Sequence, residues 1–511
     1  MNIGGKSLWN EKPTWLVIGV FLTACIAFPL ICAWQGYPLY RDIHLGTAVE
    51  YARTSISFEN TRIVGFNATG TPTIQEFPFW QMLAAMAFKV MGPWWGWANL
   101  VSILIFVTSL YPLYMLGKAF MGHRGGLWTL VFYLTQPLVF RYFGMASTDG
   151  MSISAMVWFL FLGFKLLTAP AFRILLWTSA LIAGIATALL KLPFFMAAGI
   201  ALFLYHLISN ARSVGNWVSL GSIGILSSIV FMVWTNYTGK LQAEAVFPLV
   251  DLRFSNPEMK WWYFGDWNYR LSPGNWIKGG WRILNCLFGS FVLVGLGVLG
   301  IWKSRPLWLP LCMLLGCAMT TLLFSQLVLH HSHYYLMLSP AVALLCANAL
   351  TWIANKLLPN GRRDWMFAAT VAILLGLSLI QGLLGMKISA GFDPYSQYVA
   401  RIVEKYTTPQ DKLLIQGGGW GGDILIRTQR PGLSIWNTGL LEDEVTLQRL
   451  KSLGYNKLVM ISESPLLHAI QVTNPGDGNR MRHSYEAMRT AVVANWPILY
   501  QNEDVLIQGI P

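Results

Sequence analysis

Stretches of about twenty residues with few or no charges recur from the start of the chain almost to residue 390, and they decide most of what this sequence can become. A helix needs about 20 consecutive apolar residues to cross a bilayer core. Pro, Gly and single charges divide the chain into eleven such segments, near 14–34, 97–117, 126–142, 151–168, 174–190, 193–209, 217–236, 285–302, 307–329, 335–355 and 365–386. Charged residues make up 12% of the chain, about half the share a soluble protein spends on its surface. The expected product is therefore a polytopic membrane protein. The formal charge of +13 could suggest a nucleic-acid partner. Lys and Arg are instead scattered singly between apolar runs, as residues flanking spans are, so no nucleic-acid partner is expected. The six cysteines show no CxxC or other ligand spacing and read as small core residues.

The first segment follows Lys6 and Lys12 and has no small-residue cleavage site before Gln35, so it reads as a retained anchor with a cytoplasmic N-terminus. Threading from there places Lys118/Arg124, Lys165/Arg173, Arg212, Lys303/Arg305 and Lys356/Arg362/Arg363 on the same side, as the positive-inside rule asks. The other side receives residues 35–96, the loop near 143–150, a long loop 237–284, a histidine cluster at 330–333 and the whole tail. From residue 390 the charges return and the apolar runs shrink to strand length. Lys412–Gln416, Leu433–Trp436, Lys457–Ile461 and Val505–Gln508 read as strands, and Tyr398–Tyr406, Glu444–Leu453 and Tyr485–Asn495 as helices. The expected fold class is a mainly α polytopic membrane domain over 1–389, followed by an extracytoplasmic α/β domain over 390–511.

Several outer-side residues are unusual for a bilayer protein. Asp42, in Tyr40-Arg41-Asp42-Ile43-His44, lies just beyond the first span and suits either a helix cap or a catalytic base. Glu76-Phe77-Pro78-Phe79-Trp80 opens an amphipathic stretch too short to span, expected to lie in the interface with Trp80 at headgroup depth. Asp149 in Ser147-Thr148-Asp149-Gly150 reads as a cap on the next helix or as a site carboxylate. Arg141 and Lys191 stand at outer ends of spans, where a cation is costly unless it meets a carboxylate, a carbonyl or a phosphate. His330, His331 and His333 could hold a metal, bind an anion or sit as polar interface residues. Their i, i+1, i+3 spacing does not place three ligands on one helix face, which favours the anion. A divalent cation is the one cofactor this pattern leaves open. Trp261, Trp262 and Trp267, in a run of aromatics, suit an interfacial belt or a sugar-stacking groove. Gln416–Asp423 is Gly-rich yet lacks both GxGxxG with a clear helix after it and GxxxxGK[ST], so it reads as a tight turn.

In order and sidedness these features resemble the GT-C superfamily of membrane glycosyltransferases, in particular the bacterial aminoarabinose transferases and protein O-mannosyltransferases. The residues carrying the resemblance are Asp42, Glu76–Trp80, Arg141 through Asp149, and His333-Tyr334-Tyr335-Leu336 running into Ser339-Pro340. The tail adds Gln416–Trp420 and Arg430-Pro431-Gly432, similar to elements of the periplasmic domain of many members. The resemblance implies an enzyme of a bacterial cytoplasmic membrane that moves a sugar from a polyprenyl-phosphate donor to a lipid, glycan or protein acceptor on the outer face. It gives Asp42 the role of base and Asp149 a supporting one, with Tyr40, Arg41, His44, Glu76, Trp80, Tyr334, Tyr335 and the three tryptophans lining the substrates. Relatives carry Glu-Lys-Pro-Pro where this chain has Glu76-Phe77-Pro78-Phe79. The phosphate-binding Lys is absent, so Arg141, Lys191 or the histidines would have to replace it. The rival from another class is a transporter or flippase for a lipid-linked glycan. Against it, the ionisable residues gather at one membrane face and no internal repeat is visible. A third reading, an assembly subunit, would need a partner-binding face on the tail.

Overall fold

A computed structural model describes residues 12–34, 48, 76–92, 95–168, 173–243, 257–303, 308–357, 364–389, 394–416, 423–428, 430–435, 444–461, 496–501 and 505–510. In chain order the helices are α1 (Lys12–Trp34), α2 (Phe79–Met91), α3 (Trp95–Thr108), α4 (Leu110–Thr135), α5 (Pro137–Phe143), α6 (Thr148–Thr168), α7 (Arg173–Leu190), α8 (Leu192–Asn210) and α9 (Val214–Ala243). They continue with α10 (Pro257–Phe264), α11 (Trp267–Leu271), α12 (Pro273–Ile283), a π-turn (Leu284–Phe288), α13 (Phe291–Trp302), α14 (Trp308–Leu323), α15 (Ser325–His330), a 3-10 segment (Ser332–Leu338), α16 (Ser339–Leu357) and α17 (Asp364–Ser389). The tail follows as α18 (Pro394–Tyr406), β1 (Lys412–Gln416), α19 (Asp423–Thr428), β2 (Gly432–Ile435), α20 (Glu444–Ser452), β3 (Tyr455–Ile461), β4 (Ile498–Gln501) and β5 (Val505–Gly509).

The fold is that of a polytopic membrane protein. Among the described residues six helical stretches are long and apolar enough to cross a membrane, or seven with one bent pair, and four shorter apolar helices accompany them. The longest stretch, Gly96–Thr135, is not one rod. Gly122 sits at φ 74°, inside α4, a conformation that favours glycine. A side chain on Gly117 would lie 2.9 Å from the Gly126 Cα and 2.5 Å from the Thr129 hydroxyl. Residues on either side of Gly122 therefore face each other as a hairpin, and two of the eleven expected segments are its limbs. Pro273–Phe288 and Phe291–Trp302 meet at 92°, across the π-turn and Gly289, itself at φ 68°. The long loop expected at 237–284 is largely helical: α9 runs on to Ala243, and α10 to α12 fill 257–283.

The chain divides into two compact units. One contains residues 1–39, 99–233 and 254–390 and holds most of the apolar helices. The other groups the tail with described residues of 76–98 and 234–243. In this second unit α2 buries Trp80, Gln81, Ala84, Ala85 and Phe88, a stripe of helical spacing. Trp80 is wholly buried and its ring is core, while Phe79, Met86, Lys89, Val90 and Met91 are the exposed side chains of that helix. Phe77 packs on Trp234 at 4.8 Å between ring centroids.

The tail forms a five-stranded sheet of order β2-β1-β3-β5-β4. β2 and β3 run parallel to β1, while β5 runs antiparallel to β3 and to β4. Leu413, Ile415, Val459, Ile461, Val505 and Ile507 pack with Val399 and Val403 of α18 and Ile424 and Leu425 of α19, one face of a period-two pattern. Leu414, Leu458, Met460 and Leu506 on the opposite face are buried as well, as in sheets covered on both sides. Just before β2, Arg430 donates from Nε to the Thr407 hydroxyl and from its two Nη atoms to the carbonyls of Thr428 and Thr407, at 2.7, 2.7 and 2.8 Å. It ties the ends of α18 and α19 together and satisfies carbonyls that helix ends leave open. β4 and the short α19 were not legible in the sequence. The expected helix 485–495 and the Gly-rich turn after Gln416 lie outside the described residues.

Candidate active site

Asp149 stands in the first turn of α6, where the positive end of the helix dipole favours a carboxylate. Lys191 occupies the break between α7 and α8. Its backbone is extended there, with Pro193 starting the next helix, and its N–H donates to the Thr187 carbonyl at 2.9 Å. The two side chains meet at 3.1 Å, 0% and 3% exposed. Two opposite charges persist at that depth because each is the other's counter-ion. Of the partners a buried Lys191 required, the protein supplies a carboxylate.

The Lys191 ammonium lies 5.0 Å over the Tyr334 ring, a cation–π contact. Tyr334 is in turn 4.5 Å from His333 and 6.4 Å from His331, between ring centroids. His331 continues to His333 at 5.3 Å and to His330 at 4.9 Å. The three imidazoles thus run in series from the ion pair. The helical spacing rule that argued for their divergence does not apply, because the chain here is not one helix. α15 ends at His330, His331 is extended, and a 3-10 segment starts at Ser332. Among the described residues no three His, Cys, Asp or Glu side chains converge as metal ligands. Burial, then the Arg282 charge, holds the His330 pKa below its ordinary value. His330 at neutral pH therefore offers a neutral ring to an anion.

Two arginines complete the polar lining. Arg282, at the end of α12, donates to the carbonyls of Leu329 and His330 at 2.6 and 3.0 Å, and so fixes the turn that carries the histidines. Arg141 lies in the last turn of α5, 5.6 Å from the Tyr142 ring, with its Nε buried and making no hydrogen bond among the described residues. Tyr335 is wholly buried and its hydroxyl donates to the Leu329 carbonyl at 3.4 Å. Arg282 was missed in the sequence, although it carries the signal that marked Arg141 and Lys191: a lone cation at the end of an apolar run.

Asp42, Tyr40, Arg41 and His44 lie outside the described residues. Glu76 and Trp80 belong to the second unit. Trp261 and Trp267 are 51% and 72% exposed; Trp262 lies in α10, and its side chain is outside the described set. The first unit thus assembles a buried acid–base pair, a file of aromatic and imidazole rings and two guanidiniums. This arrangement can hold an anionic group and orient a flat or polar one beside it.

Sequence and fold together define a polytopic membrane protein. Within that class it is similar to ArnT from Cupriavidus metallidurans in the apo state, with a TM-score of 0.65 at 13% identity over 96% of this chain and 98% of that one. The same protein bound to undecaprenyl phosphate gives a TM-score of 0.62 at 14% identity with the same coverage. The Archaeoglobus fulgidus oligosaccharyltransferase in complex with Zn and sulfate gives 0.51 at 13% identity, over 86% of this chain and 68% of that one. No protein-family model and no curated protein matches the sequence.

Proposed function

We propose that the protein is a glycosyltransferase that moves a sugar from a polyprenyl-phosphate donor to a hydroxyl of a lipid, glycan or protein acceptor, at the outer face of a bacterial cytoplasmic membrane. The observation that carries this reading is the likeness of fold over nearly the whole chain to ArnT, a protein also solved with undecaprenyl phosphate. The chemistry of the site supports it. A lipid phosphate is a good leaving group when its charge is met by fixed cations in a partly dehydrated place. Arg141, whose buried Nε makes no hydrogen bond among the described residues, suits that task, with Arg282 as a second cation of the same unit. Lys191 serves instead as the counter-ion that fixes Asp149, and the histidines line the approach.

Asp42 takes the acceptor proton as the oxygen attacks the anomeric carbon opposite the departing phosphate, so the product is inverted. One such base is worth about 10²–10⁴-fold in rate. Residues 1–389 form the catalytic membrane domain and 390–511 the periplasmic α/β domain, with the N-terminus cytoplasmic. The test is to incubate the purified protein with polyprenyl-phosphate sugars and candidate acceptors. Release of free polyprenyl phosphate in step with glycosylated acceptor supports a transferase, whereas lipid translocation without product supports a flippase and overturns the proposal.

A further inference from the structure

Gln136 is the elbow between α4 and α5, and Ser339 is the first residue of α16. They are 3% and 0% exposed, so each of their polar groups needs a partner inside the protein. The main chain supplies most of them. The Gln136 N–H donates to the Tyr133 carbonyl at 3.4 Å, and its carbonyl accepts from the Phe140 N–H at 2.9 Å. The Ser339 N–H donates to the Leu336 carbonyl, and its own carbonyl accepts from Gln136 Nε2 at 2.9 Å. Beside them the Thr135 carbonyl accepts from the Ser378 hydroxyl of α17 at 2.8 Å. Two atoms are left over: Gln136 Oε1 and Ser339 Oγ are buried and make no hydrogen bond among the described residues.

Turning the amide over does not help. A carbonyl only accepts, so the Gln136 nitrogen has to face Ser339 and the amide oxygen is fixed beside it. A buried amide oxygen and a buried hydroxyl both lose their hydration, and the penalty stays unless another partner replaces it. The two atoms flank a single hydrogen bond: the oxygen belongs to the amide that donates, and the hydroxyl to the residue whose carbonyl accepts. One small molecule with two donors and two lone pairs can reach both. We infer that a single water molecule is bound at this junction, donating to Gln136 Oε1 and sharing a second hydrogen bond with the Ser339 hydroxyl. Buried waters occupy polar sites of this kind, with about two to four protein partners. The water bears on the candidate site through the elements it joins. α5 carries Arg141 in its last turn, and the 3-10 segment that ends just before Ser339 carries His333 and Tyr334. The bridge ties the start of one to the end of the other. The inference rests on packing and not on sugar transfer, so either can fail alone.

Cryo-electron microscopy of the full chain in nanodiscs, at a resolution that shows ordered water, tests this directly. A density peak is expected at hydrogen-bonding distance, about 2.5–3.0 Å, from both oxygens. The two oxygens bonded to each other, a side-chain atom in that place, or two ordered oxygens with no peak between them would each overturn the inference. Thermal unfolding in detergent supplies an independent sign. If the Ser339 hydroxyl holds a water, Ser339→Ala lowers the melting temperature by about 2 °C. A hydroxyl with no partner is better lost, so a melting temperature unchanged or raised would contradict the inference. Gln136→Leu takes away the other partner, and in that background Ser339→Ala should cost clearly less. Equal losses in the two backgrounds would mean that the residues share no water.

Discussion

A lysine and an aspartate buried together at 3.1 Å stabilise each other's charge, and that dependence can be measured. Asp149→Asn removes a buried counter-ion of Lys191, a loss of up to about 3–5 kcal/mol. Adding Lys191→Met to Asp149→Leu should recover most of it, since an apolar pair of similar volume is often neutral. Thermal unfolding in detergent checks both variants; an Asp149→Asn protein that melts with the parent would mean the pair is not formed. His330 gives a pH prediction of definite sign. Its folded pKa is lowered, so the unfolded chain takes up its proton first as pH falls. Stability from this group is complete above about pH 6.5 and is lost below it. At this scale the sequence marked Asp149, Lys191 and Arg141 because charges near apolar runs need a reason. Which of them pair was not legible: residues 149 and 191 meet only through the break between α7 and α8, a property of tertiary packing.

Elements held by one residue make the sharpest tests of local structure. The α4 hairpin depends on Gly117 lying against Gly126, so Gly117→Val forces the limbs apart. A cost of about 1–3 kcal/mol is expected from such overpacking, read as a lower melting temperature and new cysteine accessibility along the limbs. In the tail, Arg430→Ala leaves several buried carbonyls at the ends of α18 and α19 without a donor. A loss of about 2–4 kcal/mol follows from the charged hydrogen bonds removed, measurable by thermal unfolding of the full chain. Asp411 accepts from the Thr408 amide at 2.6 Å and from Asn456 at 2.7 Å. Burial alone would raise its pKa, but these bonds and Lys457 bring it below the ordinary value. The stability it gives is present above about pH 4 and is lost as the carboxylate protonates below that. Strands β1, β2, β3 and β5 were legible from their short β-branched and aliphatic runs. β4, Ile498-Leu499-Tyr500-Gln501, is an edge strand with three exposed residues and carries no alternation to reveal it. The helices of 257–283 were hidden by their Gly, Pro and Trp content, which reads as loop.

For the whole molecule, the apolar runs were enough to place the helices, because a bilayer leaves few alternatives to them. The bends were not: the hairpin at Gly122 and the right-angle turn before α13 each depend on a glycine whose neighbours gave no warning. The histidine file was likewise judged by helical spacing, and the change to an extended residue and a 3-10 segment brought its rings into series. The functional reading joins this framework to one carboxylate at position 42, and that residue carries the central claim. The most direct test compares the wild-type protein with Asp42→Asn in proteoliposomes, each supplied with polyprenyl-phosphate sugar and an acceptor the wild type uses. The account predicts that the variant melts like the parent, still binds the donor and forms no glycosylated product. Product formed at the wild-type rate by the folded variant would contradict it.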